Sequence, residues 1–152
     1  MDFTATYRNE THNFNIWSMD TAGSLHEEMQ EHFEIENDSD SAEYTLHCDT
    51  LDIDVEDTQQ VIDIARVGDE YSDECVIAFF NDNCSTLEQF LRANLENYET
   101  TVEQVAEQYL ESCCDIPASI LSYIDMEKLG QDMLNDMNYS EGVNGTLFVW
   151  TA

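Results

Sequence analysis

Basic residues are almost missing from this chain. Arg8, Arg66, Arg92 and Lys128 stand against 34 Asp and Glu, and the formal net charge is -30. Such a surface repels nucleic acid and anionic membranes, and its natural partner is a basic surface. Proline occurs once and glycine five times, with no stretch of Gly, Ser and Pro to serve as a linker. No apolar run approaches the ~18 residues of a membrane-spanning helix, and no apolar signal segment opens the chain. The five cysteines (Cys48, Cys75, Cys84, Cys113 and Cys114) are odd in number and form no C-x-x-C. His12, His26, His32 and His47 show no ligand spacing to them, so reduced, buried thiols in a cytoplasmic protein are expected, without a metal or other cofactor. Calcium loops starting at Asp38 or Asp52 are excluded because neither place supplies the glycine of the sharp turn. No nucleophile elbow, phosphate loop or metal motif is present, and an enzyme is not expected.

A chain this charged is unfolded when apolar residues are scarce. Leu, Ile, Val and Phe number 35 of 152 here, above the roughly 20% level that marks disorder, and a folded protein follows. The charge is distributed rather than held in a tail: residues 1–60, 61–110 and 111–152 carry -15, -9 and -6.

In chain order, Phe3 to Arg8 and Phe14 to Asp20 read as a hairpin around a polar turn at Asn9 to Asn13. Ser24 and Glu27 form a capping box for a helix with Leu25, Met29 and Phe33 inward and Glu27, Glu28 and Glu31 outward. An acidic loop, 34–43, leads to a strand over Tyr44 to Val55. Helices follow with Val61, Ile62, Ile64 and Ala65, ending at Gly68, and with Val76, Ile77, Phe79 and Phe80 after a cap at Ser72; the second run also fits a buried strand. Ser85 and Glu88 cap a helix carrying Leu87, Phe90, Leu91, Leu95 and Tyr98. Near the end, Asp115 caps a short helix with Pro117 in its first turn, Asp125 caps another through Leu129, Met133 and Leu134, and Asn144-Gly145 turns a hairpin from Asn138 to Thr151. The fold class expected is α+β, an elongated chain of three small modules: mixed over 1–56, helical over 57–100 and mixed over 101–152.

The central helix is charged against its own stability. Val102, Val105, Ala106, Tyr109, Leu110 and Cys113 form one apolar stripe, with Thr100 and Glu103 as a capping box. Glu103, Glu107 and Glu111 repeat every four residues on the outer face, and each like-charged pair costs about 0.2–0.5 kcal/mol. Glu96 and Glu99, placed at the end of the preceding helix, and Glu111 at the end of this one oppose helix dipoles that favour cations there.

Asp115, Ile116 and Pro117, then Ile120, Tyr123, Ile124, Asp125, Glu127 and Asp132, then Asn144, Gly145 and Phe148, resemble in type and spacing the C-terminal region of the ArdA antirestriction proteins. Trp17 and Asp20 are similar to the end of that family's first strand, and Glu43 to Asp49 to its acidic middle. The family's glycines in the first hairpin are absent here. The resemblance implies an elongated, curved homodimer whose acidic side imitates bent duplex DNA. Such a protein occupies the DNA groove of type I restriction–modification enzymes, mostly on the methyltransferase core, and shields plasmid, transposon or phage DNA in a bacterial or archaeal host. It also places Ile120, Tyr123 and Ile124 at the dimer interface. Asp115, Asp125, Glu127 and Asp132 then join Glu27, Glu28, Glu31, Glu96, Glu99, Glu103, Glu107 and Glu111 as the DNA-like carboxylates.

Duplex DNA carries one charge per about 1.7 Å of axis, so 30 charges match about 50 Å of duplex, or about 15 base pairs. A carboxylate every fourth helical residue gives a rung only every ~6 Å, so several stripes must act together. Composition alone also fits a halophilic protein with an acidic surface for solvation, or a mimic aimed at a CRISPR effector, nucleoid protein or repressor.

Overall fold

A computed structural model of the chain describes residues 1–16, 20–35, 44–113 and 115–150. Helices and antiparallel sheets are both present, an α+β fold. The backbone divides into two compact units, Met1–Phe80 and Asn81–Ala152. These do not follow the three-part division expected at 56/57 and 100/101, and the elements packed within each unit explain the difference.

The first unit is built on β1 (Phe3–Tyr7), β2 (Glu10–Phe14), α1 (Ala22–His32), β3 (Thr45–Cys48), β4 (Ile53–Val55), α2 (Thr58–Glu70) and most of α3 (Asp73–Asn83). Its sheet has the order β2-β1-β3-β4, all antiparallel. The first hairpin is tighter than the sequence predicts: Phe3 pairs with Phe14, and the turn is Arg8 and Asn9 alone, at φ 47° and 70°. Two left-handed residues match the twist of the flanking strands, so the polar run after them continues as β2 instead of looping. The strand expected over Tyr44 to Val55 is likewise two strands, reversed at Asp49 to Asp52, where Asp52 takes φ 53° in place of a glycine.

Alternation divides this sheet into a dry and a wet face. Phe3, Ala5, Phe14, Leu46, Cys48 and Val55 are buried. Asn13, Thr4, His47 and Asp54 form one row across all four strands on the other face. α1 packs on α2, and α2 also meets β4, which is why the helices after residue 57 belong with the first strands. The cap of α1 is Thr21 rather than Ser24: the Thr21 N–H donates to Ser24 Oγ at 2.8 Å and the Ser24 N–H to Thr21 Oγ1 at 3.1 Å. Leu25, Met29 and Phe33 are buried as expected. α2 runs past Gly68 to Glu70, and the ambiguous run after Ser72 is the helix α3.

The second unit contains α4 (Leu87–Arg92), β5 (Asn97–Thr100), α5 (Val102–Cys113), α6 (Ala118–Leu121), α7 (Met126–Leu134), β6 (Tyr139–Glu141) and β7 (Leu147–Trp150). β7 is central, with the order β5-β7-β6. Thr86, not Ser85, caps α4, and the helix stops at Arg92, so Leu95 and Tyr98 lie beyond it. The final hairpin turns through Gly142 to Thr146. The Gly145 N–H donates to the Gly142 carbonyl and Gly145 sits at φ 79°, a type I turn closed by a left-handed glycine rather than the two-residue turn expected. α7 lies against the start of α5, where Val105, Leu134 and Leu147 form a buried cluster flanked by Val102 and Met133. A Cβ on Gly130 would run into the Val102 carbonyl oxygen, so only glycine permits this approach.

Candidate partner-binding surface

Among the described residues no acidic side chain is buried, and all but Asp20, Asp63 and Glu74 are exposed. Little basic charge offsets them. Arg66 meets the half-buried Asp63 at 3.6 Å within α2 and Arg92 meets the exposed Glu88 at 2.6 Å within α4, while Arg8 stands 4.9 Å above the Tyr7 ring.

Glu103, Glu107 and Glu111 are exposed along the outer side of α5. The helix is capped one residue later than expected. The Gln104 N–H donates to Thr101 Oγ1 at 3.3 Å and the Thr101 N–H to Gln104 Oε1 at 3.2 Å, whereas Thr100 is buried in β5. A neutral glutamine therefore does the capping, and Glu103 has no part in it. The apolar stripe is covered only near its start: Val105 and Ala106 are buried, Leu110 is half-buried, and Tyr109 and Cys113 are exposed. The expectation of a buried Cys113 thiol is thus corrected, because burial fades along α5. Cys48 and Cys75 are buried as expected, Cys84 is half-buried, and burial pushes the Cys48 and Cys84 thiols up. Tyr109 is also raised, by its hydrogen bond with Cys113.

Glu96 and Glu99 do not end a helix. Glu96 lies between α4 and β5, and Glu99 is on β5, paired with Phe148. Neither therefore opposes a helix dipole, and both are exposed. Asp115 is exposed and caps nothing; the residue ahead of α6 is Pro117, with no side-chain cap. Asp125 does cap α7, its Oδ1 accepting the Lys128 N–H at 3.0 Å, and Glu127 and Asp132 are exposed on that helix. Glu27, Glu28 and Glu31 are exposed on α1, where Glu28 lies 3.6 Å from His12 Nε2. Each unit thus carries its own set of carboxylates, α1 in the first and α5 with α7 in the second.

A further acidic group escaped sequence reasoning. Asp49, Asp52 and Asp54 surround His47 on the wet face of the first sheet, with His47 Nδ1 3.0 Å from Asp54 and Nε2 3.4 Å from Asp52. The signal was present as three aspartates around one histidine, but reading 44–55 as a single strand hid the reversal that gathers them. His47 is raised above the usual imidazole range, first by the hydrogen bond to Asp54, and then, against some desolvation, by the charges of Asp49, Asp54 and Asp52.

Of the residues expected at a dimer interface, Ile120 is 50% and Tyr123 88% exposed, while Ile124 is half-buried. α6 has no buried residue at all, and Leu121 adds to its exposed apolar surface.

Among the described residues, no group of three or more His, Cys, Asp or Glu is placed to hold a metal ion. No described helix is long and apolar enough to cross a membrane. Trp17, the acidic loop beyond Ile35 up to Glu43, and Cys114 lie outside the described residues. Neither a scan against protein-family models nor a search of curated proteins finds a match to this chain.

Proposed function

We propose that this chain is a non-catalytic decoy for duplex DNA that blocks type I restriction–modification enzymes by occupying their DNA groove. The observation that carries this reading is the row Glu103, Glu107 and Glu111: three exposed carboxylates on one helix, with no cation on that helix and no capping duty. Their mutual repulsion lowers stability, so their benefit lies outside the isolated fold. The likeness of Asp115 to Phe148 to the ArdA pattern gives the reading its specific target, and the exposure of the carboxylates in both units supplies the charge. A basic groove that releases counterions on binding DNA would release them on binding this surface too, without reading bases.

The protein acts as a homodimer in this reading, joined through Ile120, Tyr123 and Ile124. Tyr123→Ala is expected to give a folded monomer, because the side chain is 88% exposed; sedimentation and circular dichroism together check it.

The deciding experiment is a restriction assay with a panel of type I enzymes, comparing the parent with a Glu103→Gln, Glu107→Gln, Glu111→Gln variant. The parent inhibits, the variant inhibits less, and log affinity for the target falls roughly linearly with log salt. Equal inhibition by the variant at equal salt removes this helix from the DNA-like surface. Absence of inhibition across the panel, with salt-sensitive capture of a different DNA-binding protein, redirects the mimicry. A fold that requires molar salt points instead to a halophilic surface.

A further inference from the structure

His47 lies in the middle of the wet face of the first sheet, opposite Thr4 on β1 and Asp54 on β4. Its ring spans the β3–β4 hairpin: Nδ1 is 3.0 Å from Asp54 Oδ1, and Nε2 is 3.4 Å from Asp52 Oδ1. A neutral imidazole carries one N–H and can serve only one of these contacts, whereas the imidazolium keeps the hydrogen bond to Asp54 and also sets a positively charged N–H 3.4 Å from Asp52, an ion-pair contact. The second contact falls on the most constrained residue of the turn, since Asp52 holds φ 53°, a left-handed conformation costly for a side chain other than glycine. Asp52 and Asp54 are nearly fully exposed, so no other packing fixes them.

From these observations we propose that His47 is a protonation-gated latch, closing the Asp49 to Asp52 turn onto the sheet when charged and releasing it when neutral. The groups facing the imidazole are carboxylates only. Asp52 and Asp54 come from its own hairpin, and Asp49 follows β3 and accepts a hydrogen bond from Thr4 Oγ1 at 2.7 Å. β1 and β2 contribute the uncharged Thr4 and Asn13 to the same row, where Asn13 Oδ1 lies 2.8 Å from Thr4 Oγ1 and competes with Asp49 for its single hydroxyl proton. Among the described residues, none in this row is basic apart from His47 itself. Three nearby negative charges and a direct hydrogen bond favour the charged ring in the folded state, and the raised titration of His47 agrees with that arrangement. The sign follows from linkage. A group raised on folding contributes its stabilisation in full below the ordinary imidazole range, and loses it as pH rises through the raised value. The hairpin is therefore tighter in mild acid and looser in mild base.

The latch is a property of the isolated protein and stands or falls independently of the restriction assay. Side-chain NMR titration of the wild type, Asp54→Asn and Asp52→Asn, with amide exchange across β4, tests it. His47 is expected to titrate above the usual range, and Asp54→Asn to bring its midpoint down. Asp52→Asn should bring it down less, and added salt should do the same by screening exposed charges. Protection factors in β4 should be higher below pH about 6 than above pH about 8 in the wild type, and should lose that dependence in His47→Gln. A midpoint within or below the usual range overturns the latch, as does one insensitive to Asp54→Asn. PH-dependent protection that persists in folded His47→Gln assigns the effect to another group and overturns it equally.

Discussion

The sheet of the first unit leaves one face in water, and the central strand of the second leaves neither. In β1 and β3 buried residues alternate with partly exposed or exposed ones, and the wet face carries Thr4, His47 and Asp54. In β7 all four residues are buried. Leu147 meets Val105 and Leu134 on one side, while on the opposite face Phe148 is buried and its row neighbour Ser140 accepts hydrogen bonds from Asn83 Nδ2 and Trp150 Nε1, each at 3.0 Å. A one-sided sheet has a whole surface to spend on charge, and the first unit gathers Asp49, Asp52 and Asp54 there. A strand covered on both sides has none, and the second unit carries its outward carboxylates mostly on helices and connections. All four histidines fall within the first unit as well.

This contrast breaks most visibly at a doubly covered position. Phe148→Ala, 1% exposed in the parent, should cost about 3–5 kcal/mol, whereas Thr45→Ala on the wet face should fall within about 0.5 kcal/mol. Urea denaturation of both variants measures the gap; comparable losses would mean that the first sheet also depends on its outer face.

A smaller effect is expected where helix meets helix. Gly130→Ala forces a methyl group into the Val102 carbonyl, and overpacking of this kind costs about 1–3 kcal/mol. Amide exchange should show the loss in α5 and α7 while β1 to β4 keep their protection.

The smallest effect has the opposite sign. The Glu107→Gln, Glu111→Gln variant of α5 removes two like-charged pairs of about 0.2–0.5 kcal/mol each, and should be slightly more stable than the parent at low salt. Thermal melts at low and moderate salt check this, and the gain should shrink as salt rises. Thr101 and Gln104 make the cap, but Glu103 in the first turn complements the helix dipole and is left in place in this variant.

Legibility followed the same division between one covered face and two. Amphipathic helices were readable because each buries one stripe, as Leu25, Met29 and Phe33 do beside α1 and its end, and the Asp125 cap stood alone without a rival. The run from Leu147 to Trp150 announced a buried strand, but its partner β5 did not, since Asn-Tyr-Glu-Thr buries only Thr100 and carries no apolar period. Adjacent threonines made the α5 cap a choice between Thr100 and Thr101, which local pattern could not decide; sheet pairing with Leu147 took Thr100 away. Turns failed where non-glycine residues adopt positive φ, at Arg8, Asn9 and Asp52, because the usual glycine signal is missing there. Among the candidate site residues, outward placement of the glutamates on α1 and α5 was readable from period alone. The gathering of Asp49, Asp52 and Asp54 was not, because it depends on a reversal that alternation conceals.

The neutral cap on α5 has a consequence for how a carboxylate compares with a phosphate. In DNA the charged oxygens are part of the chain, and their positions are fixed once the helix forms. Among the described residues the side chains of Glu103, Glu107 and Glu111 form no hydrogen bond or ion pair, so no contact holds their torsions to one rotamer. Holding one still against a partner costs about 0.5–1.5 kcal/mol of conformational entropy. That freedom also lets the same three groups adjust to cations at different spacings. A ladder of this kind trades strength at each rung for tolerance of differently spaced cations.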